Sequence, residues 1–156
     1  METNTKCFLA VMVFFAVLVT VGYQHVAYAP VQLVKVVNGA DVKVINSRLG
    51  RMQTIRLFMI EPPREGDALA EKATHELEQM LKGRYLEFRV VRGYAGRPAG
   101  YLYADGENIN LAVIEQGAGY VVSHAYDSEM DAAQERASAA KKGVWAHVVL
   151  PEPRRI

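Results

Sequence analysis

The sequence predicts an α+β fold: a small closed β-barrel of five strands with about three helices packed outside it, preceded by one hydrophobic N-terminal helix. Three observations carry that reading. β-Branched-rich runs separated by turn signals fill residues 31 to 60 and return between 85 and 103. Apolar residues at four-residue steps take over between 67 and 81. The N-terminal stretch, by contrast, is almost without charge.

No Lys, Arg, Asp or Glu occurs between Lys6 and Lys35, and the centre of that gap, Phe8 to Tyr23, is apolar. It is longer than a usual signal-peptide core and slightly short of the ~20 residues that span a bilayer. Ala27-Tyr28-Ala29 resembles a signal-peptidase site, but Pro30 follows it and is expected to obstruct cleavage. Residues 1–29 therefore read as an uncleaved transmembrane anchor or, alternatively, a cleaved signal peptide. Lys6 is the only nearby flanking cation before Lys35, which places the N-terminus in the cytoplasm and the domain on the extracytoplasmic, periplasmic side. A cleaved chain would be secreted. Cys7, the single cysteine, reads as an apolar filler.

Residues 31–37 (VQLVKVV) and 41–46 (DVKVIN) flank Asn38-Gly39 and predict a hairpin. Met52 to Ile60 predicts a third strand, stopped by Pro62-Pro63. Leu69, Ala73, Leu77 and Leu81 define an amphipathic helix, with Asp67 as N-cap and Gly83 as stop. Tyr85 to Val91 and Arg97 to Tyr103 supply strands four and five, the second closed by Ala104-Asp105-Gly106. Ile109 to Gln116 and Ser128 to Lys142 read as helices stopped by Gly117 and Gly143. The domain spans 30–147, and 148–156 is a C-terminal tail.

The 156 residues allow one domain. A formal charge of +1 argues against binding nucleic acid through bulk positive charge, so any phosphate contact must be local. One cysteine excludes a disulfide framework and a cysteine-based zinc site.

Four blocks in register, VVNGADVKV at 36–44, IRLFMIEPP at 55–63, GRPAGYLYADGENIN at 96–110 and LAVIEQGAGYV followed by a helix and KKGVW at 141–145, resemble the staphylococcal nuclease (thermonuclease) family. The resemblance implies a five-stranded OB-fold barrel over about residues 31–146. It also implies calcium-dependent hydrolysis of DNA or RNA, which needs carboxylate ligands, a base and phosphate-binding arginines.

Carried over by position, the resemblance keeps both arginines, Arg56 and Arg97, and loses acids. The first metal-binding position falls on Ala40, the second on Glu61, and the general base on Arg64. Asp41 and Glu65 each stand one residue beyond a vacated place. A regular strand would turn Asp41 to the opposite face, away from the site, whereas Glu65 lies in a loop. A metal site would then need Glu61 and Asp41, with calcium as the ion. Otherwise no cofactor is expected.

Structural readings stand beside these. Arg56 in an apolar strand must be paired, and Glu61 or Asp41 would satisfy it. Arg97 reads equally as a sheet-edge residue. Arg56, Arg64 and Arg97 pointing into one pocket would make an anion site. Tyr101, Tyr103 and Tyr120 are stacking faces or packing residues; His124 and Tyr126 fall near the nucleotide pocket that the resemblance implies. Trp145 anchors the last helix, and Ala132, Ala133, Ala137, Ala139 and Ala140 allow it to pack closely.

The expected function is a membrane-anchored, catalytically degenerate nuclease-like domain, a pseudoenzyme that acts as a binding or structural module in a protein complex. Its partners are the membrane, through the N-terminal segment, and a protein, or else nucleic acid or a small anion at Arg56, Arg64 and Arg97. The alternative is a metal-dependent phosphodiesterase with a rearranged site.

Overall fold

The computed structural model describes residues 29–122 and 127–146. The expected anchor (residues 1–28 of it), His124, Tyr126 and the tail lie outside them. No helix among the described residues is long and apolar enough to cross a membrane.

Strands β1 (Ala29–Val36), β2 (Asp41–Asn46) and β3 (Arg51–Leu57) form an antiparallel meander. β5 (Leu86–Tyr94) pairs with β1 and with β6 (Arg97–Ala104), and β6 closes the barrel by a parallel pairing with β3 at Arg56↔Ala99 and Leu57↔Gly100. The result is the five-stranded closed barrel of an OB-fold, α+β in class. Its interior is filled by Val42, Val44, Ile55, Leu57, Phe88 and Leu102.

The expected third strand breaks early. Phe58 and Met59 form a turn, with Met59 at φ 68, and Ile60–Glu61 (β4) joins a separate two-stranded ladder with Tyr120–Val121 (β7). The reversal at Met59 lifts Glu61 off the barrel wall while Arg56 stays on it. The fourth strand is longer than its hydrophobic run, because the two-residue turn Ala95-Gly96, both at positive φ, lets the hairpin continue past the barrel wall to Tyr94.

Helix α1 (Ala68–Leu81) buries Ala73, Leu77 and Leu81; Asp67 caps it by accepting from the Leu69 amide, and Gly83 follows it at φ 73. Helix α2 (Ile109–Glu115) is capped by Asn108, and α3 (Ser128–Ala139) by Asp127. α3 ends three residues before the expected Lys142, with Lys141 itself left-handed at φ 51. Of the five alanines noted above, Ala133 and Ala137 are the buried pair, and Ala140 is the helix's C-cap. Trp145, in a short 3₁₀ turn, packs edge-on against Tyr120 at 5.3 Å between ring centres.

The barrel seam has a polar staple. Asn110, fully buried on α2, accepts the Leu102 amide at 3.0 Å and donates to the carbonyls of Phe58 (3.0 Å) and Gly100 (3.1 Å). Those carbonyls lie on either side of the β3–β6 junction, so one amide side chain ties α2 to the place where the barrel closes. Gly100 is required there: a Cβ would come within 1.9 Å of the Arg89 carbonyl oxygen.

Candidate functional site

β2 and β3 pair with Asp41 directly opposite Arg56. Directly opposed residues of an antiparallel pair share a face, so Asp41 points at the arginine. This corrects the expectation that strand geometry turns it away. The loop Val37–Ala40 sets the phase: the Asn38 side-chain oxygen accepts from the amides of Ala40 (2.9 Å) and Asp41 (2.8 Å), and β2 begins only after that turn. Ala40 is turned into the core and is fully buried.

The Asp41 carboxylate, with 3% of its side chain exposed, is the hub of the cluster. Its Oδ2 accepts from Arg56 Nη1 at 2.9 Å and from Asn38 Nδ2 at 3.0 Å. Its Oδ1 lies 3.1 Å from Arg97 Nη1, a charge contact that is not aligned as a hydrogen bond. Arg56, whose side chain is 12% exposed, also donates through Nη2 to Glu61 Oε2 at 3.0 Å and to the Ile60 carbonyl at 3.3 Å. One guanidinium therefore stands between the two carboxylates. The burial of Asp41 and Arg56 makes their mutual pairing obligatory, whereas Glu61, mostly exposed, adds little by itself.

Arg64 and Glu65 lie exposed in the loop before α1, outside this cluster. The structure thus unites Asp41, Arg56, Arg97 and Glu61 and leaves Arg64 apart, so the three arginines do not converge on one pocket. A cleft of about 170 Å³ opens beside Arg56, lined by Phe58, Glu61, Arg92, Tyr94 and Val122. Arg56 lies over the Tyr94 ring at 5.1 Å and Arg92 over the Phe58 ring at 4.8 Å. Arg92 and Tyr94 were not singled out in the sequence. The signal was present in the run Arg92-Gly93-Tyr94-Ala95-Gly96-Arg97, but only the extended hairpin carries its first half to the cleft.

Among the described residues, no group of three or more His, Cys, Asp or Glu side chains is placed to hold a metal. Calcium takes six to eight oxygen ligands. Here Ala40 offers no side-chain oxygen, both Asp41 oxygens face arginine, and one Glu61 oxygen is engaged by Arg56. This donor set does not fit calcium.

Tyr101 is a packing residue. Its hydroxyl donates to Asp127 Oδ2 at 3.0 Å, and its ring meets Phe58 edge-on at 5.9 Å. Burial first, and then the Asp127 carboxylate, push that hydroxyl up from the ordinary 10.0 to about 12. A raised tyrosine pKa means that the folded chain keeps its proton after the unfolded chain has lost it. The stability this contributes is complete below about pH 10 and is lost as the pH climbs through about 12. Denaturant midpoints measured across that window should fall more steeply for the native chain than for Tyr101→Phe.

A sequence model of the family described as staphylococcal nuclease homologues matches residues 54–147, more than half of the chain. The match takes in Arg56, Glu61, Arg64 and Arg97 and begins after Asp41.

Proposed function

Because the chain belongs to the family of staphylococcal nuclease homologues, we propose that it is a nuclease-like domain that works by binding and has lost calcium-dependent hydrolysis. One observation carries the reading: the buried Asp41 carboxylate lies between Arg56 and Arg97, so the arginines that would clamp a phosphate are tied to an internal acid. Phosphate binding would have to displace that acid from two short ion contacts. The position of the general base, Arg64, carries the wrong charge to accept a proton from water.

The apolar run Phe8 to Tyr23 supports an anchor in the membrane, with the domain on the extracytoplasmic side or, if the segment is cleaved, secreted. The near-zero net charge favours a protein partner over nucleic acid. No resident cofactor enters this function.

One observation favours the alternative, a metal-dependent phosphodiesterase with a rearranged site: Asp41 faces the arginines after all. Hydrolysis would require Asp41 and Glu61 to exchange arginine for calcium, and a third donor to arrive from outside the cluster. Labelled single-stranded DNA and RNA, incubated with the full chain with and without millimolar calcium, separate the readings. The expected result is no cleavage above that of an Arg56→Ala, Arg97→Ala variant. Calcium-dependent cleavage that the variant loses would replace this reading with the enzyme.

A further inference from the structure

Strand register sets the floor of the cleft beside Arg56. Ala99 of β6 pairs on one side with Arg56 of β3 and on the other with Arg92 of β5, and all three line the cleft. Neighbouring strands lie ~4.8 Å apart, so the two arginine backbones stand roughly 10 Å apart. Between them lies only the buried methyl group of Ala99. Phe58, Tyr94 and Val122 also line this gap, and Tyr94 (46% exposed) and Val122 (42% exposed) are open to solvent.

The charges around the gap do not cancel. Arg56 is held by Asp41 and Glu61, and Arg97 by Asp41. Arg92 has no carboxylate partner among the described residues; its guanidinium lies over the Phe58 ring. Three arginines therefore face two acids, and the surplus is a single positive charge at Arg92. A guanidinium resting on a ring face keeps its N–H groups at its edge, where one carboxylate can accept two of them. On the Arg56 side, Arg56 engages Oε2 of Glu61 and leaves Oε1 open to an incoming N–H.

We propose that the cleft binds the free C-terminal end of a partner protein whose last residue is apolar. The terminal carboxylate sits on Arg92, the last side chain lies over Ala99 between Phe58 and Tyr94, and the last amide donates to Glu61. The inference rests on the binding reading given above and names its ligand. Size supports a single residue: the cleft's volume of about 170 Å³ is close to the ~150 Å³ of a cavity that takes up one benzene. A terminal residue carries its carboxylate and its apolar side chain on one Cα. An internal Asp or Glu spends its side chain on the charge and needs a second residue in the cleft. Charge disfavours nucleic acid, since a strand brings one negative charge per nucleotide against a surplus of one and meets the exposed Glu61 carboxylate.

The test uses the full chain in a mild detergent and a fluorescein-labelled peptide, Gly-Ser-Gly-Ser-Leu, followed by anisotropy. The free acid should bind about tenfold or more tightly than its carboxamide, the usual effect of a hydrogen bond to a charged group. Replacing the peptide's last Leu by Ser should weaken binding by about tenfold as well. Arg92→Gln should erase the preference for the free acid, and Arg92→Lys should keep part of it. Arg92 is exposed, so neither substitution threatens the fold. Equal binding of acid and carboxamide, or an acid preference that survives Arg92→Gln, overturns the proposal. Tighter binding of labelled pentathymidylate, or of an amidated peptide with an internal Glu, overturns it in favour of that ligand. Absence of peptide binding in a chain that also fails to cleave DNA and RNA overturns this proposal alone. Calcium-dependent cleavage overturns the binding reading on which it rests.

Discussion

Replacing Asp41 by Ala is expected to destabilise the domain by about 3 to 5 kcal/mol, the usual consequence of removing one partner of a buried ion pair. The substitution strips Arg56 Nη1 and Asn38 Nδ2 of their acceptor and leaves Arg97 facing Arg56 without the carboxylate between them. Arg56 keeps Glu61 and the Ile60 carbonyl, which places the loss towards the lower end. Urea unfolding followed by the fluorescence of Trp145, the single tryptophan, measures it. Removing both charges should cost less than the sum of the single losses, because the double variant leaves no orphaned guanidinium. A cycle through Asp41→Ala, Arg56→Ala and their combination reads that coupling. Additive losses would mean that the pair is not the unit argued for here, and the main support for the binding reading would go with it.

Asn110→Ala is expected to cost about 3 kcal/mol, since the Leu102 amide and the Phe58 carbonyl lose their side-chain partner at once, each at about 1 to 3 kcal/mol, while the Gly100 carbonyl keeps the Phe58 amide at 2.8 Å. The Leu102 amide and the Phe58 carbonyl, from opposite sides of the barrel seam, converge on this one side chain. Asn110→Asp should rescue little: its carboxylate still accepts from Leu102 but faces two carbonyl oxygens with no N–H to offer. Denaturant unfolding of the two variants checks this, and a loss under about 1 kcal/mol for Asn110→Ala would show that the Leu102 amide, at least, had found another partner.

The two residues differ in how visible they were. Asn110 stands inside one of the blocks that resembles the family, yet nothing in Asn-Ile-Asn distinguishes a helix cap, which Asn108 is, from a seam staple, which Asn110 is. Asp41 was visible but misread: parity in a regular strand turned it away, and a side-chain hydrogen-bonded loop resets where the strand begins. Arg56 and its partners were anticipated, because a charge in an apolar strand must be compensated. Glu61 was anticipated as a partner of Arg56, although the break at Met59 moved it to a different ladder.

The sequence by itself determined the barrel, the caps of α1 and the stops at Gly83 and Gly117, since local periodicity and turn chemistry act over a few residues and leave their mark there, whereas the last helix ends before Gly143 can stop it. It also determined that the family's acidic positions hold Ala40, Glu61 and Arg64. Only the tertiary structure decided which charges meet. The ion cluster joins residues from β2, β3, β4 and β6, and their contact depends on strand register and on the parallel closure of β3 with β6. No spacing along the chain encodes that closure: it follows from how the whole barrel packs, and with it the placing of a buried carboxylate between the two arginines.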